Sequence, residues 1–211
     1  MIIDLREIPV IWINLDSATK NAEAMEKKLK DHGFKYTFRK SARVIEPPAD
    51  THPSLRHYVG CGQSHLDILE NKDYKTPFLI LEDDAEFTPA FNPILNIPDD
   101  VDGVYLGISK GNIYYQTRRY GPDYLRISGI LATHAILYIT EKYREEMAAV
   151  DKHCIYTLKK PWDIGSAGLQ QKFKVFTPSK PFFYQADDRE SANKWEALTD
   201  TPLENRNSPD L

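Results

Sequence analysis

Apolar positions along the 211-residue chain come in short blocks that alternate between strand-like runs and helical spacing. Val10-Ile-Trp-Ile-Asn14 is an apolar run with a polar exit and predicts a buried strand. Asp16, Ser17 and Thr19 follow as candidate N-caps of a helix reaching His32, with Ala22, Met25 and Leu29 at helical spacing and Gly33 placed to end it. Residues 36–39 predict a second strand, and 42–54, with Pro47, Pro48 and Pro53, a loop. A helix is expected over 63–71, carrying Leu66 and Leu69 inward and opened by Gly60-Cys61-Gly62. Pro77 precedes Phe78-Leu-Ile-Leu-Glu82, a continuous apolar run of the kind buried on both faces of a parallel sheet. Beyond it the pattern predicts strands at 104–107 and 135–139, helices at 141–150 and 162–173, and strands at 175–176 and 182–184 that close the sheet. Residues 113–126 mix Tyr and Arg around Gly121-Pro122 and predict an exposed hairpin.

Strand–helix alternation at this length predicts an α/β sandwich with a mostly parallel central sheet. Ligands of such sheets bind beyond the carboxyl ends of the strands. Two polar segments fall there, Ile13-Asn14-Leu15-Asp16 and Leu81-Glu82-Asp83-Asp84. Composition narrows the function classes: 41% hydrophobic and 27% charged residues suit a folded domain, and a net charge of −4 gives no global basic field for nucleic acid or anionic membrane. Apolar runs such as Phe78-Leu-Ile-Leu81 are too short to span a bilayer, and the first seven residues lack the basic-then-apolar order of a signal peptide. Two cysteines, Cys61 and Cys154, make neither a disulfide scaffold nor a zinc site by themselves, which points to a reducing, cytoplasmic setting.

Three consecutive carboxylates after a buried strand repel one another and resist desolvation, so something has to compensate them. In an extended chain Glu82 and Asp84 share one face and Asp83 takes the other. Two same-face carboxylates suit Mg²⁺ or Mn²⁺ together with phosphate oxygens; the same residues also suit a solvated acidic turn capping a helix near Pro89. Gly60-Cys61-Gly62-Gln63-Ser64-His65 offers either a helix N-terminus for an anion or a flexible helix start. Asp163 stands at a helix N-terminus, as an N-cap or as a general base for an acceptor hydroxyl. Tyr115, Arg118 and Arg119 belong to a stretch whose rings and guanidinium groups suit sugars, bases or phosphates, or simply pair across a hairpin. Lys35, Arg39, Lys40 and Arg43 form a second basic stretch. The motifs of zinc hydrolases, α/β-hydrolases and dinucleotide enzymes are missing from the sequence.

Taken in order, the motifs resemble glycosyltransferase family 25, the lipopolysaccharide-type and collagen-type galactosyl- and glucosyltransferases. Ile13-Asn14-Leu15-Asp16 looks like the family's opening motif, Gly60–His65 its Gly-Cys-x-x-Ser-His, and Leu81-Glu82-Asp83-Asp84 its counterpart of the Asp-x-Asp motif. Val104-Tyr-Leu-Gly107, Trp162-Asp163, Gln185 and Ser191 continue the resemblance, while Lys20 and Asn21 stand where the family carries an arginine. The resemblance implies a GT-A-like, Rossmann-like α/β/α fold over residues 1–190 with a polar tail at 191–211. It implies a nucleotide-sugar donor, typically a UDP-sugar, bound through Mn²⁺ or Mg²⁺, and transfer with inversion. Asp84 would contact the metal, Glu82 the metal, a metal-bound water or the ribose, and Asp188 or Asp187 would add a further metal contact. Asn14, Leu15, Asp16, Ser64, His65, Asp83 and Gln185 would bind the donor, and Asp163 would deprotonate the acceptor. A glycan is the acceptor implied; a hydroxylated protein or a hydroxymethylated DNA base stays open, with Tyr115, Arg118 and Arg119 as acceptor contacts. A metal-dependent nucleotidyltransferase and a non-catalytic nucleotide-sugar or glycan-binding module are the competing readings.

Overall fold

The apolar runs become strands in the computed structural model, which describes residues 1–44, 49, 52, 56–108 and 116–186. In chain order these are β1 (Ile2–Asp4), β2 (Val10–Asn14), α1 (Thr19–Asp31), β3 (Thr37–Ser41), α2 (Arg56–Glu70), β4 (Phe78–Glu82), β5 (Ala85–Phe87), β6 (Ile94–Asn96) and β7 (Gly103–Tyr105). The second half adds β8 (Gln116–Tyr120), β9 (Tyr124–Ser128), β10 (Ala135–Tyr138), α3 (Glu141–His153), α4 (Trp162–Lys172), β11 (Val175–Pro178) and β12 (Phe183–Gln185). Among the described residues the main sheet has the order β3-β2-β4-β10-β7-β11-β9-β8. Strands β3, β2, β4, β7, β11 and β8 run one way and β10 and β9 run against them, so the sheet is mostly parallel in direction.

Alternation along each strand divides the core into two layers. Ile11, Ile13, Phe78, Ile80, Ile136 and Tyr138 face α2, α3 and α4. Val10, Trp12, Leu79, Leu81 and Leu137 face α1, whose Ala22, Met25 and Leu29 are buried as their spacing predicts, together with the β1–β6 ribbon. This is the α/β/α sandwich expected from the alternation and from the GT-A resemblance. Gly33 takes φ +80° after α1, the left-handed conformation a helix-ending glycine supplies.

Several expectations are corrected. α2 starts at Arg56 instead of residue 63, so Gly60 and Gly62 lie inside it and their N–H groups serve the helix instead of an anion. Both glycines answer to close packing: a Cβ on Gly60 would lie 2.6 Å from the Arg43 carbonyl oxygen, and one on Gly62 would lie 2.9–3.0 Å from Asp151, Ile155 and Trp162. The N-cap of α1 is Ala18, with no side-chain cap, because Asp16 turns instead to Arg39 and Ser41. Residues 85–87 form β5, and no helix begins at Pro89. β12 does not close the main sheet; it pairs with β5 in a separate ribbon. The β8–β9 hairpin turns at Gly121 as expected, yet β9 also pairs with β11, and its Leu125 and Ile127 are buried in the core layer that holds Trp162 and Leu169 of α4.

Candidate functional site

Strand order fixes where a ligand crevice forms. From β2 the chain passes through α1 to β3 on one side, then returns through α2 to β4 on the other, so β2 and β4 are parallel neighbours at a topological switch point. A cleft of about 410 Å³ opens at their carboxyl ends, lined by Asn14 and Leu15 from β2's exit, Glu82 and Asp83 from β4's, Cys61 and Ser64 from α2, and Arg43.

The acidic strand end splits by pleat. Glu82 continues the face of Phe78 and Ile80 and turns toward α2. Its Oε1 accepts from Thr133 Oγ1 at 2.8 Å, lies 3.0 Å from His65 Nε2 and 3.9 Å from Cys61 Sγ. Burial pushes the Glu82 carboxyl up, but the hydrogen bond and charge of His65, with smaller help from His134 and Thr133, outweigh it and hold it below its ordinary value. His65 is fully buried, its ring 4.7 Å from that of Trp162. His134 is fully buried too, and burial lowers its pKa to about 4 against the pull of Glu82, so it is neutral at pH 7. Its ring occupies the space a Cβ on Gly107 would need, 2.1 Å from Nε2, which accounts for the glycine.

Asp83 takes the opposite face. Its Oδ2 accepts from Asn14 Nδ2 at 2.6 Å and from Asn21 Nδ2 at 3.3 Å. Asn14 is buried and its Oδ1 accepts both Nε and Nη2 of Arg39, at 3.1 and 2.7 Å. Asp16, exposed at the rim, accepts from Arg39 and from Ser41 Oγ at 2.8 Å. One polar lattice thus ties β2, β3 and the end of β4. Asp84, in the turn to β5, accepts from Gln185 Nε2 of β12 at 3.2 Å. Ser64 Oγ donates to the Gly60 carbonyl at 2.7 Å and accepts from the Arg43 N–H at 2.8 Å, so it fixes the loop beside the cleft.

Asp163 lies in the first turn of α4, whose N-cap is Pro161, so the carboxyl is not the cap; its Oδ1 accepts from the Ile164 N–H at 2.9 Å. Burial raises its pKa, opposed by the Ile164 N–H and reinforced by the charge of Glu82; Asp163 is not among the residues that line the cleft. Arg118 and Arg119 are exposed on β8, five strand spacings from β4, about 24 Å at roughly 4.8 Å each, and do not line the cleft. Tyr115, Asp187, Asp188 and the 191–211 tail lie outside the described residues.

Thr133, His134 and Arg39 escaped the sequence as members of this group. Thr133 and His134 reach Glu82 only because β10 pairs antiparallel to β4, with the Glu82 N–H donating to the His134 carbonyl at 2.9 Å. Arg39 was visible as one of a basic stretch, though not as the partner of Asn14. The described residues include no helix long and apolar enough to cross a membrane.

No protein-family model matches the chain, that of glycosyltransferase family 25 included, and no curated protein matches it. Among solved structures the chain is similar to a glycosyltransferase involved in the glycosylation of the major capsid of PBCV-1, at 11% identity over 90% of this chain and 98% of that one, with a TM-score of 0.40. It is also similar to CTP:phosphocholine cytidylyltransferase from Streptococcus pneumoniae, at 10% identity over 92% and 98% of the two chains and a TM-score of 0.44. At these values the functional reading rests on the site's own geometry.

Proposed function

We propose that the protein is a metal-dependent, inverting glycosyltransferase that moves a sugar from a nucleotide sugar, of the UDP kind, to a hydroxyl of a glycan. One observation carries this reading: the cleft at the β2/β4 switch point is lined by Glu82 and Asp83 of the acidic strand end together with Asn14, Leu15 and Arg43. Asn14, Leu15 and Asp16 receive the base and ribose, while Arg43, whose Nε donates to Asp67 Oδ2 at 2.6 Å, lines the cleft beside them. Asp83 keeps Asn14 in place, and Ser64 holds the loop that carries Arg43.

At the turn, the Asp84 carboxylate is the hard oxygen donor a divalent cation such as Mg²⁺ or Mn²⁺ takes, Gln185 orients it, and Asp188 is the further candidate ligand. When bound, the cation stabilises the negative charge that develops on the departing nucleoside diphosphate. Glu82, kept ionised by His65, orients the ribose or a water beside it. Asp163 takes the proton of the acceptor hydroxyl, and its raised pKa moves it toward the range where a base works at neutral pH. Tyr115, Arg118 and Arg119 serve the distal part of a long acceptor, and the net charge of −4 favours a glycan over DNA.

Product analysis tests the reaction class. Incubation with a UDP-sugar, Mn²⁺ and a glycan acceptor is expected to release UDP in step with the glycosylated product. Release of pyrophosphate from a nucleoside triphosphate and a sugar phosphate would establish a nucleotidyltransferase instead.

A further inference from the structure

Cys61 and His65 are four residues apart on α2 and therefore share a helix face, which meets the end of β4 at Glu82. A sulfur, an imidazole nitrogen and a carboxylate oxygen from these three residues all lie within 4.8 Å of one another. The imidazole Nε2 is 3.0 Å and the Cys61 Sγ 3.9 Å from Glu82 Oε1. Ligands arranged tetrahedrally around one Zn²⁺, at bond lengths near 2.0–2.3 Å, stand about 3.3–3.8 Å apart. From the 4.8 Å limit, the widest pair closes on an ion with an approach of about 1.0–1.5 Å.

We propose that Cys61, His65 and Glu82 form a binding site for a borderline divalent cation of the Zn²⁺ or Co²⁺ kind. Cys61 and Glu82 line the cleft while His65 is buried behind them, so the ion enters from the cleft and keeps its fourth position open to it. Trp162 packs against the His65 ring and limits its rotation, and Thr133 Oγ1 remains on the carboxylate as an outer hydrogen bond. Binding removes the thiol proton of Cys61 to solvent, since the thiolate is the ligand. A sulfur–nitrogen–oxygen set selects against Mg²⁺ and Mn²⁺, which take oxygens, so this site differs in chemistry from the Asp84 position. It does not depend on the cleft being a donor site. A ligand that enters the cleft would meet the ion's open position.

Cobalt spectroscopy on the metal-stripped full chain tests it. Titration with Co²⁺ is expected to give a thiolate-to-cobalt charge-transfer band and the strong visible bands of tetrahedral Co²⁺, saturating at one equivalent and displaced by Zn²⁺ but not by excess Mg²⁺. Cys61→Ser is expected to lose the charge-transfer band, and Asp84→Asn to keep it. Absence of the band in the unaltered protein overturns the proposal, as does a band that survives Cys61→Ser, which would put the thiolate at Cys154.

Discussion

Glu82, Asp83 and Asp84 are consecutive, yet they meet His65 and Thr133, Asn14 and Asn21, and Gln185 respectively, so removing each has its own consequence. Asp84→Asn is expected to abolish metal-dependent nucleotide-sugar binding while leaving the melting temperature at or above that of the unaltered protein, because one of three crowded charges is gone; calorimetric titration with Mn²⁺ and differential scanning check the two halves. Asp163→Asn is expected to keep donor binding and lose transfer. A base acts only when deprotonated, and burial raises Asp163, so the acid limb of kcat/KM should fall above the ordinary carboxylate value of 3.8; an acid limb at that value would remove Asp163 from the role. Asp151 supplies a separate test of the packing behind the site. It is fully buried on α3, and burial, with the charge of Glu70 adding to it, pushes its pKa up to about 9 from 3.8. Between those values the folded protein keeps a proton that the unfolded chain has lost, so stability is present in full below about pH 4 and falls as pH rises toward 9. At about 1.4 kcal/mol per unit the loss from pH 5 to 7 is on the order of 3 kcal/mol. Asp151→Asn, neutral throughout, should raise the melting temperature more at pH 8 than at pH 5, and equal gains would mean that the carboxyl titrates normally.

Elements were legible where local pattern and tertiary environment agree. Phe78–Glu82 reads as a doubly buried strand because every position before Glu82 is apolar, and Ala22, Met25 and Leu29 mark α1 because its other faces are charged. The start of α2 was not legible, since Gly60 and Gly62 resemble a loop locally and are explained only by the neighbours pressed against them. Paired substitutions separate these cases. Gly62→Ala should destabilise by about 1–3 kcal/mol through overpacking against Asp151, Ile155 and Trp162. Gly168→Ala on α4, where a Cβ meets nothing within 4 Å, should stabilise by roughly 0.5–1 kcal/mol through helix propensity. Chemical denaturation measures both. The acidic strand end was likewise legible from its position, whereas Thr133 and His134 were not, because only the pairing of Ala135 with Leu81 brings them to Glu82 across more than fifty residues of chain.

At the scale of the whole molecule, the order of strands matters more than any single motif. Reversal of the chain's course between β3 and β4 creates the crevice, and the ends of β2 and β4 line it with Asn14, Leu15, Glu82 and Asp83. Net charge also bears on the acceptor. A glycan acceptor predicts transfer that changes little between about 50 and 200 mM salt, whereas DNA predicts a steep fall. In the proposed function this cleft binds a nucleoside diphosphate through a divalent cation. Thermal-shift measurement with UDP, GDP, ADP, CDP and their sugars, each with Mn²⁺, Mg²⁺ or EDTA, tests it most directly. One nucleoside diphosphate family, expected to be UDP, should raise the melting temperature only when metal is present, and Asp84→Asn should erase the shift. No shift with any nucleotide, or a shift of equal size in EDTA, would contradict it.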